Sequence, residues 1–404
     1  MTVREELYNG INIQKPWPPR MKEKEQALKK NIDRIPETIC YLSNPPKVIP
    51  IHVGRQLFVD DFLIDTSTLQ RKYYYPEPYV GNPILKPQTK IEKNEGCCPV
   101  AATFTDGVFY DSKDGLYKMW YQAGWFDGTA YAESLDGQNW YRPDLDVVPG
   151  TNMVLPFRKG YKRDGATVWI DHETKDPKSR YKLFVFFRKN EVEEIGELYI
   201  SSDRIHWNGP TITGPCGDAS SFFYNPFRKK WVFSIRKVDV EGDFHYRYRQ
   251  YYETEDFLKG ADWGRNDPVF WYGADDLDKK HAIYDCTTQL YGVDCVAYES
   301  ILLGAFEIFK GPHNRIAEEL GVPKQCDITL GYSRDGFHFC RPDRTAFLKG
   351  SEKKGTWDYG YIHASGGLCI VEKDQLRFYY SAWSGESPKY GKHMYAGGAT
   401  GYAT

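Results

Sequence analysis

Short apolar and aromatic runs recur along the chain at residues 116–121, 181–187, 231–235, 301–306 and 376–380, each bounded by turn-forming residues as strands are. The five runs are spaced by about 65 residues, generous for propeller blades of four strands. The pattern predicts an all-β chain, a five-bladed β-propeller over residues 51–404, with insertions such as 312–324 and its helix-like Ala-Glu-Glu-Leu piece taking up the excess. The run 57–64 is expected to pair with the last blade and close the ring, which hides exposed sheet edges. Residues 1–50 have a different texture. The stretch 21–35 is rich in Lys, Glu, Ala and Leu and stops at Pro36, so an N-terminal arm with one short surface helix is expected there.

Two internal repeats support the blades. Ser134-Leu-Asp136-Gly-Gln-Asn-Trp140, Ser202-Asp203-Arg-Ile-His-Trp207 and Ser333-Arg-Asp335-Gly-Phe-His-Phe339 share a Ser, an Asp-containing turn and a closing aromatic. The carboxylate of such a turn caps backbone N–H groups, so Asp136, Asp203 and Asp335 are read as structural. Upstream, Asp164-Gly-Ala-Thr-Val-Trp-Ile-Asp171, Asp218-Ala-Ser-Ser-Phe-Phe-Tyr-Asn225 and Asp285-Cys-Thr-Thr-Gln-Leu-Tyr-Gly292 each begin with Asp and reach a turn residue seven positions later. Read as the strands nearest the axis, they bring three carboxylates from three blades to one mouth, where burial and repulsion shift their pKa values. An Asp at a strand start also caps the preceding turn, and that alternative stands beside the catalytic one.

Composition narrows the partners. With 53 basic against 55 acidic residues and a net charge of −2, no positive field exists to hold nucleic acid or an anionic membrane surface. The nine cysteines are scattered and include no C-x-x-C pair, which fits reduced thiols and no metal centre; no cofactor is demanded. The N-terminus lacks a signal-like apolar stretch, and no run of about 18 apolar residues occurs, so a cytoplasmic location is expected, or a periplasmic or secreted one if a leader was removed. Oligomeric state is left open.

On these residues the stretch from about 55 to 404 resembles the five-bladed propeller glycosidases of glycoside hydrolase families 32 and 43. Arg163-Asp164-Gly165 looks like the R-D-P strand of family 32, with Gly in place of Pro, and the resemblance implies that Asp164 orients the sugar and stabilises charge. Asp218, preceded by Cys216-Gly217, stands where the family carries its general acid. Asp285 is then the base or a ligand of sugar hydroxyls. Where the first blade would carry a further carboxylate, Phe104 stands, with Asp106, Asp60 and Asp61 as possible substitutes and Glu299 as a reserve acid. Asn82-Pro-Ile-Leu85 looks like the N-P-I-L entry of the family 130 phosphorylases.

Glycoside cleavage needs one protonated and one ionised carboxyl group beside the anomeric centre. A carbohydrate substrate also needs a flat apolar partner, and Trp125 in a turn after a middle strand is the candidate; core packing is its alternative. Arg163, Arg236, Asp358 and His363 complete the substrate-binding set, Asp358 and His363 because the stretch 357–363 precedes the last axial strand and can face the mouth. Arg236 and the stretch Tyr246-Arg-Tyr-Arg249 suit an anionic sugar, although cross-strand pairing with surface carboxylates is the expected role of that stretch. The function implied is a glycosidase acting on an oligo- or polysaccharide. The rivals are a phosphorylase, which requires a phosphate pocket beside a single acid, and a non-catalytic carbohydrate-binding propeller.

Overall fold

Each recurrent apolar run is the second strand of an antiparallel sheet in a computed structural model that describes residues 5–190, 193–241 and 244–404. Blade 1 comprises Ala101–Asp111, Leu116–Ala123, Gly128–Ser134 and Met153–Leu155. Blade 2 follows with Tyr161–Ile170, Tyr181–Lys189, Glu193–Ser201 and Asn208–Ile212, and blade 3 with Ser221–Asn225, Lys230–Glu241, Phe244–Thr254 and Val269–Tyr272. Blade 4 contains Gln289–Tyr298, Ile301–Gly311, Gln325–Ser333 and Phe339–Cys340, with Leu348–Lys349 also on its third strand. Blade 5 is Gly360–Glu372, Gln375–Trp383 and Gly398–Ala403. The first strands of successive blades lie against one another around the axis, blade 5 meeting blade 1.

The second strands are predominantly apolar at their centres because successive residues point to opposite faces and both faces are covered. In blade 2, Leu183, Val185 and Phe187 pack with Trp120 and Tyr131 of blade 1, while Phe184 and Phe186 pack with Phe222 and Phe233 of blade 3. Face-to-face stacking of this kind repeats between neighbours and forms the core.

Ring closure differs from the expectation. The closing segment is residues 77–85, not 57–64: Tyr79 N–H donates to Tyr402 O at 3.0 Å, Ile84 N–H to Thr400 O at 2.9 Å, and Leu85 bridges Thr400. This segment takes the outer position beside Gly398–Ala403. The 57–64 run is instead pinned by the charges at its centre. Asp60, 1% exposed, accepts from Arg334 Nε at 3.0 and 2.9 Å and from Phe62 N–H, while Asp61 pairs with Arg71 at 2.6 Å. Both carboxylates are therefore committed to anchoring the arm and neither serves the axis.

The arm itself forms a small hairpin, Glu5–Glu6 with Asn12–Ile13, and a helix at Lys22–Lys29, shorter than the expected 21–35. Asn31 and Asp33 adopt positive φ, which ends the helical path before Pro36. Tyr8 stacks on Phe227 and Trp17 meets Phe337 edge-on, so the arm lies over blades 3 and 4. The insertion 312–324 carries the helix Asn314–Leu320, closed by Gly321 at φ +60°.

The Ser/Asp turns are structural, with one shift of register. Ser134, Ser201 and Ser333 donate to Asp136, Asp203 and Asp335 at 2.9, 3.0 and 3.3 Å, so Ser201 rather than Ser202 belongs to the motif. Asp335 also accepts from Phe337 N–H and His338 N–H at 2.9 and 2.8 Å in a buried setting. Asp335→Ala leaves both donors unpaired and is expected to cost about 1–3 kcal/mol, measured by urea unfolding.

Candidate active site at the axial mouth

Asp164 lies near the start of the blade 2 inner strand, and Asp218 just ahead of the blade 3 inner strand. The two are brought together by a close approach of backbone. Gly165 has φ +113°, and a Cβ there would lie 3.2 Å from Ala219 N. Proline, fixed near −65°, is excluded from such a φ, which accounts for Gly in the place of the family's Pro.

One guanidinium joins the carboxylates. Arg188 Nε donates to Asp164 Oδ2 at 2.7 Å, and Arg188 Nη2 lies 3.1 Å from Asp218 Oδ2. Arg236 forms a second ion pair with Asp218. Asp164 is buried and Asp218 half-buried, whereas the Arg188 side chain is 35% exposed and marks the way in. Arg188 and Arg236 both end the apolar run of a second strand, as Phe-Phe-Arg188 and Ser-Ile-Arg236, so a shared signal existed for the arginine that went unnoticed.

Blade 1 contributes an aromatic wall. Phe104, 1% exposed, meets His363 edge-on at 4.4 Å, Trp383 at 5.6 Å and Trp125 at 6.4 Å between centroids. Asp106, two residues on, is buried in an ion pair with Arg163, which also donates to Thr129 Oγ1 at 3.2 Å. Arg163 is thereby removed from the substrate-binding set, and Asp106 from the axial carboxylates. Burial pushes the Asp106 carboxyl up to about 7 against the pull of Arg163.

Blades 4 and 5 supply hydroxyls and cations rather than acids. Tyr291 and Tyr361 share a hydrogen bond of 2.8 Å, and Lys324 Nζ donates to Tyr395 Oη at 3.1 Å. Trp125 stacks on Tyr395 at 4.3 Å with planes 13° apart and remains partly exposed. Arg247 and Arg249 are buried, facing inward, which corrects the expected surface pairing of the Tyr246–Arg249 stretch: Arg247 donates to Gln289 Oε1 at 2.7 Å and Arg249 to Ala219 O at 2.8 Å.

Four further expectations are corrected. Asp285 is 94% exposed and paired with Lys280 at 3.1 Å, because the blade 4 inner strand starts only at Gln289 and presents Tyr291 to the axis. Asp358 stands beside Tyr380 on the second strand of blade 5, near Trp357, not in the axial cluster. His363 is axial but fully buried, with Nδ1 3.0 Å from Glu307, so it belongs to the layer beneath the mouth. Glu299 sits in the turn after the blade 4 inner strand, with its carboxylate on Arg55. Arg188, Tyr291, Lys324, Tyr361 and Tyr395 were not anticipated.

No family model matches the chain, and no curated protein matches it. Among solved structures, a thermostable family-43 glycoside hydrolase aligns at 13% identity over 74% of this chain and 88% of its own, with a TM-score of 0.51. The two share the propeller fold. A second glycoside hydrolase aligns at 14% identity over 79% of this chain and 92% of its own, with a TM-score of 0.50. An N-acetylgalactosamine deacetylase from F. plautii, in complex with blood group B trisaccharide, aligns at 15% identity over 79% and 95%, with a TM-score of 0.48. The resemblance to families 32 and 43 is supported at the level of the fold; that to family 130 is not. Asn82 of the N-P-I-L segment donates to Tyr402 O at 2.8 Å as part of the ring closure.

Proposed function

We propose that the protein is a glycoside hydrolase that cleaves a glycosidic bond of an oligo- or polysaccharide with Asp164 and Asp218. The observation that carries this reading is the meeting of the two carboxylates, from neighbouring blades, on the single guanidinium of Arg188 beside the Trp125 and Tyr395 platform. In the free protein Arg188 bridges the two carboxylates. A sugar that displaces Arg188 would bring its glycosidic oxygen to the two carboxyl groups. Asp218 keeps its ion pair with Arg236, whereas Asp164 loses the only arginine ion pair it makes among the described residues. Asp164 then donates to the leaving oxygen as general acid, and Asp218 attacks the anomeric carbon or activates water. The acid role thus falls on Asp164 rather than on Asp218, where the positions in families 32 and 43 imply it.

The test is release of new reducing ends from a broad glycan panel, with and without inorganic phosphate. Phosphate-independent release supports hydrolysis; sugar phosphate as the product supports a phosphorylase, and binding without turnover a carbohydrate-binding propeller. Trp125→Ala removes the exposed half of the platform and is expected to raise KM about tenfold with a smaller change in kcat, read from initial rates on the best substrate.

A further inference from the structure

The same mouth gathers more cations than its carboxylates need. Arg188 and Arg236 are paired with Asp164 and Asp218, but among the described residues neither Arg247 nor Lys324 has a carboxylate partner. Arg236, Arg247 and Lys324 are 7%, 8% and 3% exposed, and all three face the ring of Tyr291, at 5.3, 5.8 and 5.9 Å from its centroid. Arg236 Nε and Arg247 Nε are buried with no hydrogen-bond partner among the described residues. The acids of the layer beneath do not supply the missing charge. Glu307 there is taken by His363 and by Ala364 N–H, and Asp294 neighbours Glu307 and Arg249.

Buried cations are retained where an anion meets them, and guanidinium groups are suited to paired oxygens. We propose that the sugar bound at this mouth carries an anionic group, the carboxylate of a uronic acid or a sulfate ester, seated on Arg247 and Lys324 beside Tyr291. As a statement about substrate it rests on the hydrolase reading; as a statement about binding it stands on the cations alone.

The seat has a built-in pH response. Burial, reinforced by Arg247 and Arg236, pushes the Lys324 ammonium down to about 7, against the opposite influence of Asp164 and Cys326. Tyr291, Tyr361 and Tyr395 are the other titratable groups facing it. A bound anion favours protonated Lys324, so binding takes up a proton and affinity falls as pH rises through about 7.

Calorimetric titration of the full chain tests this with oligosaccharides containing uronic acid, sulfated oligosaccharides, their neutral counterparts and inorganic phosphate. One anionic class is expected to bind at least about 100-fold more tightly than its neutral counterpart, and which class does so identifies the group. The affinity should weaken between about pH 6 and pH 8. Lys324→Met should lose at least about tenfold, and Lys324→Arg should bind with the pH dependence removed, because arginine stays charged. If either variant fails to fold, the pH profile of the unmutated protein decides. Equal binding of neutral and anionic glycans, no binding of either, or phosphate binding as tightly as the anionic sugar overturns the inference. Cleavage of neutral glycans without preference overturns it while leaving the hydrolase reading intact. Tight binding of acidic glycans without cleavage does the opposite.

Discussion

Asp218→Asn is expected to lower kcat at least about 100-fold on the best glycan substrate, with circular dichroism and thermal unfolding close to those of the unmutated protein. The change removes the charge that attacks or activates water and leaves Arg188 and Arg236 near a neutral amide. Asp164→Asn is expected to lose as much on the same glycan, but on an aryl glycoside with a good leaving group most of the activity should survive, because protonation of the leaving oxygen is no longer required. The contrast between the two substrates separates the acid from the base. Survival of Asp218→Asn, and not of Asp164→Asn, on the aryl glycoside would return the acid role to Asp218, as implied by families 32 and 43. Normal activity in both would remove these carboxylates from the chemistry.

The second large effect concerns stability. Arg163 and Asp106 form an ion pair at the interface of blades 1 and 2, with side chains 1% and 0% exposed. Arg163→Met leaves the Asp106 carboxyl buried without its cation and is expected to cost about 3–5 kcal/mol in urea unfolding. The double variant Arg163→Met with Asp106→Leu removes both charges, and most of that loss should be recovered. A double variant no more stable than the single one would show that shape, rather than charge, governs this spot.

The blades were legible because their second strands bury two faces at once, so residues 183–187 read as continuous apolar sequence between polar flanks. Asp164 and Asp218 were legible for a related reason: two inner strands begin with the same carboxylate-then-small-residue pattern, and close backbone contact demands those small residues. The pattern misled at Asp285, where the aspartate belongs to the loop and the strand starts four residues later. Ring closure was misassigned because 57–64 has strand-like composition, yet its aspartates are fixed by Arg334 and Arg71. The cations were the least visible. In Tyr246-Arg-Tyr-Arg249 the alternation suggests arginines turned toward solvent, but Arg247 and Arg249 point to the axis. Lys324 enters from the connection after a short helix, which no strand periodicity addresses.

Gly398–Ala403 is held between Gln375–Trp383 and the segment 77–85, so partners such as Asn82 and Tyr402 are 320 positions apart. During biosynthesis the flank of blade 5 stays unsealed until this strand leaves the ribosome, and the nascent ring is a partial toroid with an adhesive edge. Deleting residues 398–403 would trade a sealed torus for an aggregation-prone crescent.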